Sequence, residues 1–237
     1  MSSTIHSLML GTMDNFIHLI ADSSGLAMVI DPAWDAEAIE AYCAAHHLTL
    51  NGILLTHSHA DHTSAVKPLS LKYRLPVYIS REEYQLGLIQ LDKPCWIADG
   101  DVIALGESRI TVIATPGHTL GSVCFHIDQH LISGDTLFID GCGRCDFYES
   151  DVEKMWQSLQ RLKILPDETV IYSGHHYGQK TNDSLGNQKT TNPYLLIDNK
   201  QFFIDFRLHL QSQYRSIPFV PSSAAEMQRI YARHHQR

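Results

Sequence analysis

Short runs of apolar and β-branched residues, separated by Asp, Gly and Pro, dominate the first half of the chain. Three of these runs have the length and flanking residues typical of buried strands, namely NFIHLIAD (15–22), GLAMVIDP (25–32) and NGILLTH (51–57). Between the second and third runs, residues 35–48 carry apolar side chains at helical spacing, and Asp35 is placed to cap the helix N-terminus. The pattern therefore predicts a helix that connects two strands.

The rest of the chain predicts further strands and then helices. Residues 63–75 indicate a helix interrupted near Pro68, because proline inside a helix removes a hydrogen bond, and residues 76–80 indicate a strand. Between 99 and 138, short apolar runs alternate with tight turns, which is more typical of a second sheet than of another βα unit. After this region we expect an amphipathic helix, a strand that ends in a loop and a C-terminal helix, at 150–165, 168–176 and 199–215.

Composition narrows the class of protein. The 237 residues are 44% hydrophobic, which is enough to bury a substantial core as one domain. A formal net charge of −8 argues against nucleic acid or an anionic membrane as the main partner. The first residues, MSSTIHSLML, lack the features of a signal peptide, and no apolar run approaches the roughly 20 residues that span a bilayer. We therefore expect a cytoplasmic protein.

The cysteines do not indicate a structural or redox framework. They are five in number and scattered, unlike the paired cysteines of a secreted disulfide-rich domain. Cys142 and Cys145 form a C-x-x-C motif, but a zinc knuckle needs a second pair, which this chain lacks. We therefore assign no metal or redox role to this motif.

The stretch LLTHSHADHTSA (54–65) carries three histidines and an aspartate within six residues, directly after an apolar run. Histidines held this close would repel one another once protonated, whereas neutral imidazole is the commonest metal ligand in proteins. The pattern H-x-H-x-D-H therefore predicts a metal site, with ligands drawn from His57, His59, Asp61 and His62.

Three further ligand candidates each follow an apolar run at a point where glycine enters the sequence. His118 lies in TPGHTLGS, Asp135 in GDTLF and His175 in GHHYG, the last followed by His176. The ends of strands are where a rigid scaffold presents chemical groups. We therefore expect these residues to join the histidine-rich stretch in one cluster.

The motifs THSHADH, TPGHTLGS, GDTLFIDGCGR and SGHHYG, in this order, resemble the metallo-β-lactamase superfamily. Within it, GDTLFIDGCGRCDFY followed by GHHY is most similar to the glyoxalase II group and its shorter relatives. The resemblance implies an α/β fold, a four-layer αββα sandwich of two mixed sheets with a short C-terminal helical extension. We expect one domain over 1–237, with the core sandwich at 1–180 and the extension at 181–237.

The resemblance also implies a ligand set for two divalent ions. His57, His59 and His118 would hold the first ion, Asp61, His62 and His175 would hold the second, and Asp135 would bridge both. Two histidines separated by one residue in an extended segment can face the same ion, which agrees with this assignment for His57 and His59. We expect zinc, although imidazole and carboxylate ligands also suit iron and manganese.

A set of seven nitrogen and oxygen ligands around two ions leaves coordination positions open, which is typical of a catalytic rather than a structural site. Two metals can lower the pKa of a shared water from 15.7 toward about 7, and the resulting hydroxide is a nucleophile. Asp61 can orient this hydroxide and accept its proton. A thiolate leaves with little acid catalysis because its pKa is about 8.5, so we expect hydrolysis of a glutathione, coenzyme A or carrier-protein thioester.

Residues that contact the substrate are predicted only from the resemblance. The matching positions are Arg144 and Tyr148, in the loop after Asp135, and Tyr177, after the last ligand. This loop departs from the glyoxalase II form at Cys145 and Asp146, and the C-terminal region is shorter, so glutathione specificity stays open. The oligomeric state stays open as well.

Two other functions remain as alternatives. In an iron-dependent persulfide dioxygenase, His57, His118 and Asp135 would form a two-histidine, one-carboxylate triad around a single iron. A non-catalytic metal-binding protein would hold metal without turnover. Hydrolysis of β-lactams is disfavoured because no export signal is evident, and RNA cleavage is disfavoured because the chain is acidic.

Overall fold

The first sheet is built from the apolar runs of the N-terminal half. The computed structural model describes residues 3–215 and 218–235. The strands follow chain order across the sheet: Thr4–Leu10 (β1), Asn15–Ala21 (β2), Leu26–Ile30 (β3), Thr49–Leu54 (β4), Val77–Ser80 (β5) and Pro94–Ile97 (β6). From β1 to β3 the neighbours are antiparallel, and from β3 to β6 they are parallel. The sheet is therefore mixed.

Four helices connect the strands of this sheet: Ala36–Ala45 (α1), Ala60–Thr63 (α2), Val66–Tyr73 (α3) and Arg81–Tyr84 (α4). Asp35 caps α1 as predicted, because its side chain accepts a hydrogen bond from the backbone N–H of Ala38. The predicted interruption near Pro68 is wrong. Pro68 lies in the first turn of α3, where a missing N–H costs no helical hydrogen bond, and the helical path breaks earlier, between α2 and α3.

The second sheet contains Val102–Leu105 (β7), Ser108–Ala114 (β8), Val123–Ile127 (β9), His130–Gly134 (β10), Val170–Ser173 (β13) and Asp183–Ser184 (β14). Its order is β14-β13-β10-β9-β8-β7, and only the β10–β13 pair among these described strands is parallel. A small hairpin of Leu137–Phe138 (β11) and Gly141–Cys142 (β12) leaves this sheet after β10. The predicted second sheet is thus confirmed.

Three groups of buried side chains define the layers. One group, which includes Met28 and Phe125, lies between the two sheets. A second joins the outer face of the first sheet to α1 and α3, through Ile39 and Leu69. The third joins the outer face of the second sheet to Val152–Leu162 (α5) and to the C-terminal helices. The αββα sandwich of two mixed sheets is confirmed.

The C-terminal region is helical: Leu185–Thr191 (α6), Lys200–Asp205 (α7), a π-helical turn at Phe206–Leu210, Gln211–Tyr214 (α8) and Ala224–His235 (α9). The helix expected at 199–215 is present, with the π-helical turn inside it, whereas α9 was not predicted. Phe203 and Phe206 pack with Leu131 and Ile171 of the second sheet. Strand β14 carries this sheet past residue 180, the expected end of the core sandwich. None of the helices within 3–215 and 218–235 is long and apolar enough to cross a membrane.

Candidate metal centre

The first three predicted ligands meet at one edge of the sandwich. His57 and His59 follow β4, and His118 lies in the loop between β8 and β9. One potential ligand atom from each residue lies within 4.8 Å of the others. Nε2 of His118 is 3.1 Å from Nδ1 of His59. We call these three residues the first set.

Asp61, His62 and His175 form a second set beside the first. Asp61 and His62 lie on α2, and His175 follows β13. The Nε2 atoms of His62 and His175 are 3.1 Å apart, and Oδ2 of Asp61 is 3.4 Å from each of them. The structure therefore brings together residues that are more than 100 positions apart in the chain.

Asp135 lies between the two sets, as a bridging ligand must. Its Oδ2 is 3.6 Å from Nε2 of His118 in the first set and 3.4 Å from Nε2 of His175 in the second. Its Oδ1 is 3.4 Å from Nε2 of His62. Gly174 allows this approach, because a Cβ atom at that position would lie 2.3 Å from Oδ1 of Asp135.

Each histidine has one ring nitrogen turned inward and the other held by a neighbour. The outer nitrogens are 3.0 Å from Thr56 Oγ1 for His57, 3.1 Å from Asp31 Oδ2 for His62, 2.9 Å from the Arg144 carbonyl for His118, 2.8 Å from the Met13 carbonyl for His175 and 2.9 Å from Glu149 Oε1 for His59. Such outer partners fix the tautomer and orientation of metal-binding imidazoles in proteins. The geometry is therefore that of a preorganised ligand set.

Sequence reasoning did not identify these outer partners. Asp31 had a local signal, since it directly follows the apolar run of β3 at the edge where the ligands gather. Both oxygens of Asp31 are occupied by Thr56 and His62, so Asp31 orients a ligand although it also lies near His57. Glu149 has no comparable signal in the sequence.

The pKa values of the histidines in the cluster differ, because burial and the nearby carboxylates act on them to different extents. Burial lowers the pKa of His57 well below its usual value and that of His118 to about 4. Burial also opposes protonation of His175, but the carboxylates of Asp135 and Asp61 outweigh it and raise the pKa of His175 to about 10. The two carboxylates thus attract positive charge to the space between the sets.

This space suits a cation. Nε2 of His57 and Oδ1 of Asp135 are buried and have no hydrogen-bond partner within the described part of the chain. The nitrogen pairs at 3.1 Å also place lone pairs against each other unless a proton or a metal lies nearby. Five imidazoles and two carboxylates suit zinc, iron or manganese. The residues present therefore fit a dinuclear metal centre.

A cavity of about 720 Å³ opens over both sets. Arg144 and Tyr177 line it, and the Tyr177 ring stacks on His175 with 4.6 Å between ring centroids. Tyr148 is fully exposed and is not among the residues that line the cavity, so the structure does not bring it to the site. Arg207 and Phe219, which the sequence did not single out, line it from the C-terminal region.

Comparison with known proteins agrees with this geometry. The family model described as the metallo-beta-lactamase superfamily matches residues 11–175. The chain is 35% identical over 195 residues to the probable polyketide biosynthesis zinc-dependent hydrolase BaeB of Bacillus velezensis, covering 81% of this chain and 87% of that protein. It is also 35% identical over 201 residues to the similarly named PksB of Bacillus subtilis, with the same coverage of 81% and 87%.

Among solved structures, the crystal structure of ETHE1 from Myxococcus xanthus shares 28% sequence identity and superimposes with a TM-score of 0.80. The match covers 91% of this chain and 94% of that one. The two relatives are named as zinc-dependent hydrolases, which confirms the predictions of a hydrolase and of zinc as its metal. By the family model, the relatives and the shared architecture together, this chain belongs to the metallo-β-lactamase superfamily.

Proposed function

We propose that this zinc-dependent hydrolase cleaves acyl thioesters whose thiol belongs to coenzyme A, glutathione or a carrier protein. The observation that carries the proposal is the pair of complete ligand sets, joined by Asp135, on the floor of an open cavity. His57, His59 and His118 would hold the first ion, and Asp61, His62 and His175 the second. Bound there, two divalent ions would supply an activated water and polarise the substrate carbonyl.

Asp61 orients the attacking water in this proposal. Asn15 Nδ2 donates a hydrogen bond to Oδ2 of Asp61 at 3.0 Å, and Trp34 Nε1 donates to Oδ1 of Asn15 at 2.8 Å. Hydrogen bonds from His175 and Asn15, together with the charge on His62, hold the pKa of Asp61 well below its usual value despite burial. Asp61 therefore stays ionised, which suits it to accept a hydrogen bond from water.

The residues that line the cavity are compatible with a leaving group that departs without protonation by a general acid. The acidic and imidazole side chains that line it among the described residues either belong to the two sets and Asp135 or, in the case of Glu149, contact His59. None of these carboxyl and imidazole groups is therefore free to act as a separate general acid. A thiolate, with a pKa of about 8.5, leaves more readily than an alkoxide or an amine under these conditions.

Aromatic side chains beside the second set suit an apolar acyl group. Phe219 lies 4.8 Å from Tyr177 and 5.6 Å from Phe138, measured between ring centroids, and all three line the cavity. Pockets for small molecules are mostly apolar, with a few polar groups that fix orientation. The names of BaeB and PksB, which refer to polyketide biosynthesis, support acyl groups carried on a thiol as the substrate class.

The alternative of an iron-dependent persulfide dioxygenase uses His57, His118 and Asp135 alone. The likeness to ETHE1 gives this alternative some weight. The second set favours hydrolysis, because it is complete and each of its histidines is oriented by an outer partner. A protein that merely stores metal would not need an open cavity over both sets.

The proposal is tested with zinc-loaded protein and a panel of acyl thioesters of coenzyme A, glutathione and N-acetylcysteamine, by measuring release of free thiol. We expect hydrolysis without uptake of oxygen. His175→Ala should abolish it, whereas His176→Ala, at the adjacent histidine, should retain it. Consumption of dissolved oxygen with glutathione persulfide as substrate would instead establish the dioxygenase, if sulfite forms and the reaction depends on one iron per chain.

A further inference from the structure

Arg207 extends from the π-helical turn into the same cavity as the two ligand sets. Its Nε donates a hydrogen bond to the carbonyl oxygen of Gly143 at 2.9 Å, and its Nη1 is 3.3 Å from Oε1 of Gln211. Both acceptors are neutral. Single turns of π-helix are rare and occur frequently at functional sites. The guanidinium is thus held in place while its charge has no anionic partner at ion-pair distance within the described residues.

Arg144, the other arginine of the cavity, differs in this respect. Its Nε and Nη2 donate to the two carboxylate oxygens of Asp146 at 2.9 and 2.8 Å, and its side chain is 61% exposed. A half-buried charge that has no anionic partner costs more than an exposed charge in an ion pair. Of the two arginines that line the cavity, Arg207 is therefore the one whose charge is not paired with a carboxylate.

The position of Arg207 also indicates which part of a substrate it meets. Gly143 precedes Arg144, whose carbonyl oxygen holds His118 of the first set. Three of the aromatic side chains that line the cavity, Phe138, Tyr177 and Phe219, lie together beside His175 of the second set, whereas Phe147 packs against His59 and His118 of the first. Arg207 and Gln211 also line a smaller adjoining cavity of about 250 Å³. Arg207 thus lies on the side of the first set, and the cluster of three aromatic side chains lies beside the second.

We propose that Arg207 binds a phosphate or carboxylate group on the thiol portion of the substrate, while the acyl portion lies against the cluster of Phe138, Tyr177 and Phe219. This proposal rests on the thioester hydrolysis proposed above. The planar guanidinium presents parallel N–H groups that match the oxygens of either anion. Arg207 then selects thioesters by the charge of their carrier.

Binding of free thiols to the zinc-loaded protein tests this proposal without requiring turnover. Titration calorimetry compares 4′-phosphopantetheine with pantetheine, and glutathione with its diethyl ester. Arg207→Gln should weaken binding of the charged member of one pair by about ten- to a hundredfold, the worth of a charge-assisted hydrogen bond, and leave the neutral member nearly unchanged. The pair that responds identifies phosphate or carboxylate as the group bound.

Two further variants keep the test decisive. Arg161→Gln removes an arginine that pairs with Asp99 outside the cavity, and it should alter no affinity. Arg207→Lys keeps the charge but loses the planar geometry, so we expect an intermediate loss. An equal loss for charged and neutral thiols in the Arg207 variants, or no loss at all, would overturn the proposal. Failure of thioester hydrolysis with selective binding intact would overturn only the proposed reaction.

A different observation concerns Glu83, a carboxylate that is 1% exposed at α4. Its Oε1 accepts hydrogen bonds from the backbone N–H and the hydroxyl of Ser58, at 2.8 and 2.6 Å. Its Oε2 accepts from the hydroxyl of Thr119 at 2.5 Å and from the N–H of Gly121 at 3.2 Å. Each oxygen therefore holds a different loop.

These two loops carry the first ligand set. Ser58 lies between His57 and His59, and Thr119 directly follows His118. We infer that Glu83 is a positioning residue that sets the separation of the two loops and thereby the affinity of the first set for its ion. Among the described residues, the Glu83 carboxylate makes no hydrogen bond to Asp61, His62 or His175 of the second set.

Zinc affinity measured by chelator competition tests this inference. Glu83→Gln should weaken one of the two zinc sites by about ten- to a hundredfold and leave the other unchanged, as is typical when an outer partner of a metal site is lost. Glu82→Gln, at the exposed neighbouring position, is the matched control. Glu83→Asp keeps the charge and serves if the amide variant does not fold. Equal weakening of both sites in step with the melting temperature, or no weakening, would contradict the inference.

Discussion

Oδ2 of Asp31 lies 3.1 Å from Nδ1 of His62, and Oδ1 of the same carboxylate accepts a hydrogen bond from the backbone N–H of Thr56 at 2.7 Å. The carboxylate therefore favours the tautomer of His62 that carries its proton on Nδ1, and Nε2 faces His175 and Asp61, the other members of the second set. This relationship joins the end of β3 to the helix that carries two of the predicted ligands.

Replacing Asp31 by Asn should weaken zinc binding at the second set by about ten- to a hundredfold, because the amide no longer favours one tautomer of His62. Chelator competition measures the two affinities. Asp35→Asn is the control, since Asp35 caps α1 away from the cavity. Unchanged zinc affinities in Asp31→Asn would show that the tautomer is fixed by other contacts.

Replacing Asp135 by Ala should lower the occupancy of both metal sites together, because its carboxylate lies between the two sets. Elemental analysis of protein prepared without chelator gives the number of ions per chain. We expect one to two ions in the unmodified protein and fewer than one in the variant. Loss of a single ion would make Asp135 a ligand of one site only.

Gly117→Ala should destabilise the protein by about 1–3 kcal/mol or more and disturb the adjacent His118. Gly117 has φ +151°, and a Cβ there would lie 2.6 Å from the backbone nitrogen of Met155 in α5. Gly100→Ala, with φ +81° and open space around it, meets only the backbone strain. Equal free energies of unfolding for the two variants would refute the close-approach argument.

His18 should make stability depend on pH below neutrality. Burial lowers its pKa to about 4; the neutral ring bonds to the Ser173 carbonyl and the Ser7 hydroxyl, each at 2.9 Å. Between about pH 6.5 and about pH 4, His18 binds a proton in the unfolded chain but not in the folded protein, because the histidine pKa of the unfolded chain is about 6.5. The stability of the folded protein therefore falls as the pH drops through this interval.

Urea unfolding at pH 7.5 and 5.0 measures this effect. The unmodified protein should lose about 2 kcal/mol more than His18→Gln over this interval, since one pKa unit corresponds to about 1.36 kcal/mol. Performing both at the same zinc concentration removes the contribution of the ligand histidines from the difference. Parallel losses in the two proteins would assign the pH dependence to other groups.

The sequence singles out the seven ligand candidates because their chemistry is local, whereas their division into two sets came from the resemblance to the superfamily. Four ligands lie within six residues, and the others each follow a strand. Asp31 and Glu83 could not be assigned in the same way, because a buried carboxylate acquires its role from residues that only the fold brings near. Ser58 and Thr119, both bonded to Glu83, are 61 positions apart.

The helices were less predictable than the strands. Apolar runs bounded by turn residues identify buried strands well, whereas Pro68 shows that a proline disrupts a helix only beyond its first turn. The amphipathic pattern at 199–215 predicted a helix, but it gave no sign of the π-helical turn that directs Arg207 into the cavity. No amino-acid pattern in this segment marks the local change of helical pitch.

The long separation between ligands has a consequence for protein synthesis. His57 is made early, but the second set requires His175, which follows β13. A growing chain therefore cannot assemble the dinuclear centre until most of both sheets has left the ribosome, and a chain truncated before this point has no means of completing it. Capture of the second ion therefore follows the synthesis of most of both sheets, and chains that end before His175 lack the complete centre.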